Sequence, residues 1–148
     1  TKAWYNGYEL SVVEAQKLKV YEMYNPKSVV DAMLSGIFDN YWNQTETYEA
    51  LKAYICMNFD GLKDSVIKIL AGDRVQINTG TFSNDMTSFQ SRDDILTLLV
   101  HLGYLSYHWP DKIVAIPNKE VSQEYVNAIS TMDWNEVIHS VEASRKLL

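Results

Sequence analysis

The sequence is poor in several residues on which large protein classes depend. Cys56 is the single cysteine among 148 residues, which excludes an internal disulfide framework and a zinc site built from several cysteines. The six glycines form no G-x-x-x-x-G-K-[ST] or G-x-G-x-x-G phosphate loop, and no G-x-S-x-G nucleophile motif is present. These absences argue against a disulfide scaffold, and against a nucleotide-binding loop or serine nucleophile motif within these residues.

Positive charge and long apolar runs are also scarce. Thirteen Lys and Arg stand against nineteen Asp and Glu, and the net charge of −6 opposes nucleic acid or an anionic membrane as a partner of the whole surface. No apolar run approaches the roughly 18 to 20 residues of a membrane span, and no signal-peptide pattern opens the chain. With 47% hydrophobic residues, the composition predicts a globular cytoplasmic protein with one core.

The first residues are unusually aromatic. Trp4, Tyr5 and Tyr8 follow a first residue, Thr1, that is not an initiator methionine. Because such rings are normally packed against other residues, we expect the chain to be a segment of a longer protein, with these rings packed on a missing core. Processing of the N-terminus is the alternative, as is self-association of the exposed rings.

The first half of the chain predicts a hairpin and three helices. Loose alternation over residues 8–24 predicts the hairpin. Asn25 and Pro26 then form a helix-start signal, and Gly36 ends that helix. Helices over 46–57, capped by Thr45, and over 59–70, ended by Gly72, follow. The apolar faces of the three helices are predicted at Val29, Val30, Met33, Leu34 and Ile37; at Tyr48, Leu51, Tyr54 and Ile55; and at Phe59, Leu62, Val66, Ile67 and Leu70.

The second half alternates helices with short strands. Val75 and Ile77 indicate a strand, Met86 and Phe89 a helical turn, and Ser91 with Asp94 a capping box for a helix through residue 102. Runs over 104–108 and 112–116, joined by Trp109-Pro110-Asp111, predict a hairpin. The last two helices start at Asn118, with Val121, Tyr125, Ala128 and Ile129 inward, and at the Asp133-x-x-Glu136 capping box, with Trp134, Val137, Ile138 and Val141 on its apolar face.

This order predicts a mainly α fold class with a small β component. Residues 1–72 form a helical subdomain with an N-terminal hairpin. Residues 73–148 form a winged-helix-like subdomain with a β-hairpin wing and C-terminal helices. The two parts are expected to make one compact unit, in which helix 59–71 can belong to the winged helix.

A winged helix often reads DNA through the helix that precedes its wing. In this chain that helix is apolar over most of its circumference, which is typical of a helix buried on nearly all sides. Its polar remainder, which we expect to be exposed, carries two carboxylates against one guanidinium and so repels phosphates; it consists of Arg92, Asp93, Asp94, Thr97 and His101. The sequence therefore favours burial of this helix against another domain.

No catalytic or metal-ligating constellation stands out. The histidines His101, His108 and His139 do not cluster, so structural or surface roles are the better interpretation. Cys56 follows Ile55 and is expected to be a small buried side chain. The carboxylates at helix starts or on faces expected to be exposed are explained by helix dipoles and solubility; they are Asp60, Asp64, Asp73, Asp93, Asp94, Glu120 and Glu124. We predict no catalytic residue and no metal ligand.

Five ordered phrases between residues 4 and 121 carry a specific resemblance. They are Trp4-Tyr5-Asn6-Gly7-Tyr8, Tyr24-Asn25-Pro26-Lys27-Ser28-Val29, Asn40-Tyr41-Trp42 followed by Thr45, Leu102-Gly103-Tyr104-Leu105, and Ile116-Pro117-Asn118-Lys119-Glu120-Val121. Together they resemble the bacterial predicted AAA-ATPase-like family, whose members usually carry a PD-(D/E)xK nuclease-like domain at the C-terminus. The chain departs from that pattern at Asn6, where Asp is usual, at Lys27, where an aromatic is common, and by extra residues over 11–19.

The resemblance implies a position within a longer protein. The family's phosphate-binding loop and Mg²⁺-associated acidic motif lie upstream of these phrases, and its nuclease carboxylates and lysine lie downstream. The chain is similar to the part between them, a helical lid over residues 1–72 plus the winged helix. The resemblance therefore implies no cofactor for this chain itself, and it implies ATP, magnesium and ATPase activity for the full-length protein.

The resemblance also implies one candidate site. In ATPases of this type the lid closes over the nucleotide, so Tyr24, Asn25 and Pro26 are candidate cofactor-binding residues that face the cleft. Helix capping alone is the competing interpretation, and the simpler one, of the same residues.

Two hypotheses for function follow. In the first, this is a non-catalytic module that relays nucleotide state between an upstream ATPase core and a downstream nuclease-like domain of the same chain. In the second, it is a winged-helix module that binds nucleic acid for that nuclease. The negative charge and the apolar helix over 92–102 favour the first.

Overall fold

The computed structural model describes residues 2–42, 47–57, 59–83 and 88–130, together with Trp134 and Ala143, and excludes the side chains of residues 47 and 48. These residues form a mixed α/β fold. The elements are α1 (Lys2–Tyr5), β1 (Tyr8–Glu14), β2 (Lys17–Met23), α2 (Pro26–Ser35), α3 (Thr47–Ile55), α4 (Leu62–Leu70), β3 (Val75–Gln76), a 3₁₀ turn (Thr79–Thr81), α5 (Arg92–His101), β4 (Ser106–His108), β5 (Ile113–Ala115) and α6 (Lys119–Ser130). Within the described ranges, no helix has the length and apolar character needed to cross a membrane.

The predicted N-terminal hairpin is confirmed. Strands β1 and β2 pair antiparallel from Tyr8 opposite Met23 to Glu14 opposite Lys17. Ala15 and Gln16 make the turn with φ of 48° and 64°, the pair of positive angles that matches the twist of a two-residue hairpin loop. Strand β1 lies beside β4, whereas every residue of β2 is exposed.

Helix α2 begins and ends where the sequence predicts. Asn25 Oδ1 accepts a hydrogen bond from Ser28 N at 3.5 Å, and Gly36, at φ 71°, donates its N–H to Ala32 O. Most of its predicted apolar face is exposed, however: Val30, Met33 and Leu34 are exposed, Val29 is half-buried, and Ile37 lies beyond the end of the helix and is exposed. The buried residues of α2 are Ser28 and Ala32. The reason is that α2 packs through its small polar edge, where Ser28 meets α6.

The core lies among α3, α4, α5, α6 and a three-stranded antiparallel sheet in the order β3–β5–β4. Val75 pairs with Val114, and Ser106 pairs with Ala115. The buried cluster includes residues on both sides of Gly72, and the boundary at residue 72 stays a prediction. Among its members are Leu51, Ile55, Leu62, Val66, Ile95, Leu96, Leu99, Val114, Val121, Tyr125 and Ile129.

Helix α5 is buried, as its apolar composition predicts, but it is buried in the core of this chain and not against another domain. Its polar edge also differs from expectation. Asp94 and Thr97, expected to be exposed, are buried. Asp94 accepts hydrogen bonds from Gln90 N and Thr81 Oγ1, both at 2.8 Å, because the loop before α5 folds over this edge. The hydroxyl of Ser91 makes no capping bond to the N-terminus of α5.

Three further expectations about burial are wrong. Cys56 is exposed, because it follows the last residue of α3, Ile55, whose side chain occupies the core. Tyr5 is fully buried and Tyr8 is half-buried within this chain, where their hydroxyls bond to backbone at Asp39 and Gly103. Both rings therefore pack against residues of this chain, and not against a missing core.

Several predictions fall outside the described residues. The helical turn around Met86, the cap at Thr45, His139 and the last helix from Asp133 belong to this group. Trp134 is described, and its ring lies 4.7 Å from Lys63 Nζ on α4.

Candidate functional site

Two carboxylates on α6 are buried, although the sequence predicts that they are exposed. Glu120 and Glu124, expected on exposed faces, have no solvent-accessible surface. Their i, i+4 spacing puts both on one face of the helix. Residues 39–42 and the N-terminal end of α2 cover that face, which the local sequence does not reveal.

Glu120 joins segments that are distant in the chain. Its Oε1 accepts a hydrogen bond from Ser28 Oγ at 2.8 Å and one from the backbone N–H of Tyr41 at 2.9 Å. Beside it, Glu124 Oε1 accepts from Asn40 Nδ2, and Asn40 Oδ1 accepts from Trp42 N at 2.9 Å. The two carboxylates therefore fix α2 and residues 40–42 to α6.

The second oxygen of each carboxylate, Oε2, is buried and has no hydrogen-bond partner among the described residues. Burial raises the pKa of both groups, and the charge of Glu124 raises the pKa of Glu120 further. The bonds from Tyr41 and Ser28 act in the opposite direction on Glu120, and the bond from Asn40 does so on Glu124. A charge buried with incomplete hydrogen bonding costs free energy, so this pair can take up protons more readily than surface glutamates.

The segment before β1 closes over the start of α6. Asn118 caps the helix by accepting from Val121 N at 3.0 Å, and its Nδ2 donates to Asn6 O at 2.9 Å. Gly7 lies so close to Pro117 that a Cβ there would stand 1.8 Å from Pro117 O, and its φ is 108°. Only glycine allows this approach.

Tyr8 completes the arrangement. Its hydroxyl donates to Gly103 O at 2.8 Å, and burial raises its pKa well above the usual range, as it does for Tyr125. We name the connected polar residues around the start of α6 the α6 hub. It consists of Asn6, Tyr8, Ser28, Asn40, Tyr41, Asn118, Glu120 and Glu124.

All five phrases of the family resemblance meet at or beside the α6 hub. The hub takes residues from four of them, and the fifth, 102–105, supplies Gly103 as the acceptor for Tyr8. Trp42 packs edge-on against Tyr104 with ring centroids 4.8 Å apart. Residues of these phrases thus contact one another across the fold.

The candidate cofactor-binding residues lie at the start of α2, next to Ser28 of the α6 hub. Tyr24 and Pro26 are exposed. Asn25 is half-buried, caps α2 through its side chain and donates its backbone N–H to Tyr5 O at 2.9 Å. Their contact with a nucleotide stays a prediction. The exposed ring of Tyr24 is suited to stacking on a base, whereas the side-chain oxygen of Asn25 is already engaged.

A second polar cluster joins β1 to the three-stranded sheet. His108 Nδ1 lies 2.8 Å from Glu9 Oε2, and His108 Nε2 lies 3.3 Å from Ser106 Oγ. This order of serine, histidine and carboxylate is that of a nucleophile with its base. Ser106 is buried, and its Oγ also bonds Ala115 O at 3.1 Å. The cluster therefore connects β1, β4 and β5. Among the described residues no group of three His, Cys, Asp or Glu could hold a metal ion.

Exposed apolar side chains are concentrated at the start of the chain. Of the thirteen large ones that the described residues expose, twelve lie between residues 10 and 38. On the hairpin they lie on both faces, since the cross-strand register puts Leu10, Tyr21 and Met23 on one face and Val13, Leu18 and Val20 on the other. We call these residues, with Tyr24, the hairpin surface, and we call Val30, Met33, Leu34, Ile37 and Phe38 the α2 surface. Such a concentration marks an interaction surface.

Comparison with known proteins adds no relative: no family model matches the chain, and neither the curated proteins nor the solved structures contain a match.

Proposed function

We propose that this chain is a non-catalytic module that relays nucleotide state between an ATPase core and a nuclease-like domain of one cytoplasmic protein. Residues 1–72 act as the lid-like part, and residues 73–148 act as the winged-helix-like part. The winged-helix assignment is supported by the element order α4, β3, α5, β4, β5 and by the sheet order β3–β5–β4.

The observation that carries the proposal is the bond between Ser28 and Glu120. It attaches α2, whose cap Asn25 and first residue Pro26 are candidate nucleotide-facing residues, to α6, which belongs to the main core. Because the bond is buried, separating the two helices leaves a carboxylate with an unmet acceptor, which is costly. A displacement of α2 is therefore transmitted to α6, and the ligand that drives it must interact differently with the two arrangements.

The hairpin surface supplies the contact with the ATPase core. Its apolar side chains lie on an element most of whose charges are paired, since Lys19 bonds Glu14, Glu22 bonds Lys2 of α1 at 2.9 Å, and Glu9 lies 2.8 Å from His108 of β4. A locally neutral apolar surface suits another protein domain better than it suits nucleic acid, which requires clustered cations. The burial of α5 likewise disfavours nucleic acid as a partner.

The test is a titration of the intact protein with ATP and Mg²⁺, followed by NMR. We expect shifts at residues 24–28 and at α6. In Ser28→Ala the shifts at residues 24–27 remain and those at α6 shrink. Shifts confined to residues outside both segments would overturn the proposal. Salt-sensitive binding to duplex DNA, abolished by a substitution in α5 or the β4–β5 hairpin, would favour the nucleic-acid-binding module instead.

A further inference from the structure

A small cavity lies at the base of the N-terminal hairpin, where β1 runs beside β4. The close approach of Gly7 to Pro117 forms part of its wall, and its volume is about 230 Å³. Pockets for drug-sized ligands usually exceed roughly 300 Å³, so this cavity suits a molecule much smaller than a nucleotide. We name it the hairpin-base cavity. Its polar lining includes Asn6, Glu9, Glu22, Arg74, Ser106 and His108.

Two carboxylates face each other across the hairpin at this cavity. Glu9 lies directly opposite Glu22 in the register of β1 and β2, which places both on one face, and like charges in this position destabilise a strand pair. Glu22 Oε2 lies 2.9 Å from Lys2 Nζ, and Glu9 Oε2 lies 2.8 Å from His108 Nδ1. Each carboxylate thus has its own partner, and no described cation bonds both. A positive group that approaches both carboxylates from the cavity would stabilise the pair.

The amide of Asn6 supplies a hydrogen-bond acceptor beside these carboxylates. Asn6 is 5% exposed, and its Nδ2 donates to Glu22 Oε2 at 3.2 Å. Because an ionised carboxylate only accepts, this bond fixes which end of the amide is the oxygen. The Oδ1 atom is then buried without a hydrogen-bond partner among the described residues, which costs free energy. A positive N–H donor in the cavity would suit this oxygen and the two carboxylates together.

Arg74 brings the opposite charge to the same cavity. It directly precedes β3 and is exposed, and its guanidinium has no hydrogen-bond or ion-pair partner within the part of the chain that the structure describes. A guanidinium can bind a carboxylate through two parallel hydrogen bonds. The cavity therefore offers one place for a positive group and a separate place for a carboxylate.

We propose that the hairpin-base cavity binds a free α-amino acid. The ammonium group lies between Glu9 and Glu22 and donates to Asn6 Oδ1, while the carboxylate pairs with Arg74. Ile116, half-buried at the cavity wall, contacts a small apolar side chain, and the volume excludes a large one. This site does not involve residues 24–27, so it is independent of the proposed relay.

The test is isothermal titration calorimetry of the intact protein with L-alanine. We expect saturable binding of one molecule per chain. N-acetyl-L-alanine keeps the carboxylate but loses the ammonium charge, and L-alanine methyl ester keeps the ammonium group but loses the carboxylate. Each should bind at least about tenfold more weakly than L-alanine, because each loses one charge-assisted contact.

Two variants separate the contact with Arg74 from a general effect of charge. Arg74→Gln and Lys68→Gln each remove one positive charge from an exposed position, so both should fold. Arg74→Gln should raise the dissociation constant of L-alanine at least about tenfold, whereas Lys68→Gln, on α4 and outside the cavity, should leave it unchanged. In Arg74→Gln the methyl ester should bind as well as L-alanine itself, since the partner of the carboxylate is gone.

The proposal is overturned if glycine, L-alanine and L-valine all fail to bind the wild-type protein. Equal binding of L-alanine and N-acetyl-L-alanine would show a simple anion site instead, and equal binding of L-alanine and its methyl ester would show a simple cation site. Unchanged affinity in Arg74→Gln would also contradict it. None of these results bears on the nucleotide titration, so the two proposals fail separately.

Discussion

Ser28 on α2 and Glu120 on α6 are 92 residues apart in the sequence and form a buried hydrogen bond of 2.8 Å. The same carboxylate oxygen also accepts the backbone N–H of Tyr41. A single oxygen atom on α6 therefore connects this helix both to α2 and to the segment that contains Tyr41. The stability of this contact and the movement that it can transmit are both open to measurement.

Removing the hydroxyl tests the contact itself. Ser28→Ala removes one of the two hydrogen bonds that the buried Oε1 of Glu120 accepts, so we expect the free energy of unfolding to fall by about 1 to 3 kcal/mol. Urea denaturation measures this change. Ser130→Ala is the matched control, because the Ser130 hydroxyl bonds a nearby carbonyl on an exposed turn, and it should change stability by less than about 0.5 kcal/mol. Equal effects of the two variants would contradict the assignment.

Acidification tests the buried pair of carboxylates. The pKa of Glu120 and that of Glu124 are raised in the folded chain above the 4.5 of an ordinary glutamate. As the pH falls through the folded pKa toward 4.5, the folded chain binds protons that the unfolded chain does not yet bind, so the contribution of this pair to stability increases. Below 4.5 both states are protonated, and the increase ends.

The glutamine variants isolate this contribution from that of other carboxylates. Glu22, whose pKa is lowered chiefly by its hydrogen bond with Lys2, contributes in the opposite direction. The difference between wild type and Glu120→Gln/Glu124→Gln is therefore the quantity to measure. We expect the double variant to lose the gain on acidification, and Glu49→Gln, on an exposed part of α3, to keep it. A gain that survives in the double variant would contradict the account.

Gly7 tests the close approach between the N-terminal segment and α6. Gly7→Ala forces a Cβ against Pro117 O at a positive φ, and we expect a loss of more than about 2 kcal/mol in urea denaturation. Gly36→Ala also has a positive φ but meets nothing within 4 Å, so its loss should be about 1 kcal/mol. If the two losses are equal, the approach to Pro117 is not what requires glycine at position 7.

Asp94 tests the loop that covers α5. Asp94→Ala removes the acceptor for Gln90 N and Thr81 Oγ1, and we expect a loss of more than about 2 kcal/mol because hydrogen bonds to a buried charged group are strong. Asp64→Ala, in the exposed first turn of α4, should lose less than about 1 kcal/mol. Hydrogen exchange should also accelerate at Gln90 in the first variant alone.

Local signals in the sequence predicted much of the fold. Asn25 with Pro26, Gly36 and Asn118 mark helix ends, and they do so because a cap depends on atoms only a few residues away. The hairpin of β1 and β2 was predicted from alternation, although its turn residues, Ala15 and Gln16, are not the usual ones for positive φ.

The candidate site could not be predicted in the same way. A glutamate near a helix start, such as Glu120, normally compensates the helix dipole at the surface, and its partners Ser28 and Tyr41 are 92 and 79 residues away. The apolar stripe of α2 predicted a face but not what covers it, because periodicity does not distinguish a core from an interface. The resemblance carried by the five phrases stays a prediction, although four of them contribute residues to the α6 hub.

Hydrogen exchange of α6 in the intact protein, with and without ATP and Mg²⁺, tests the central claim most directly. The account predicts that nucleotide changes the protection of the amides of α6 near Glu120 in the wild type, and that Ser28→Ala removes this change while residues 24–27 still respond. An identical response of α6 in wild type and Ser28→Ala, or no response of α6 while the nucleotide is bound, would contradict it.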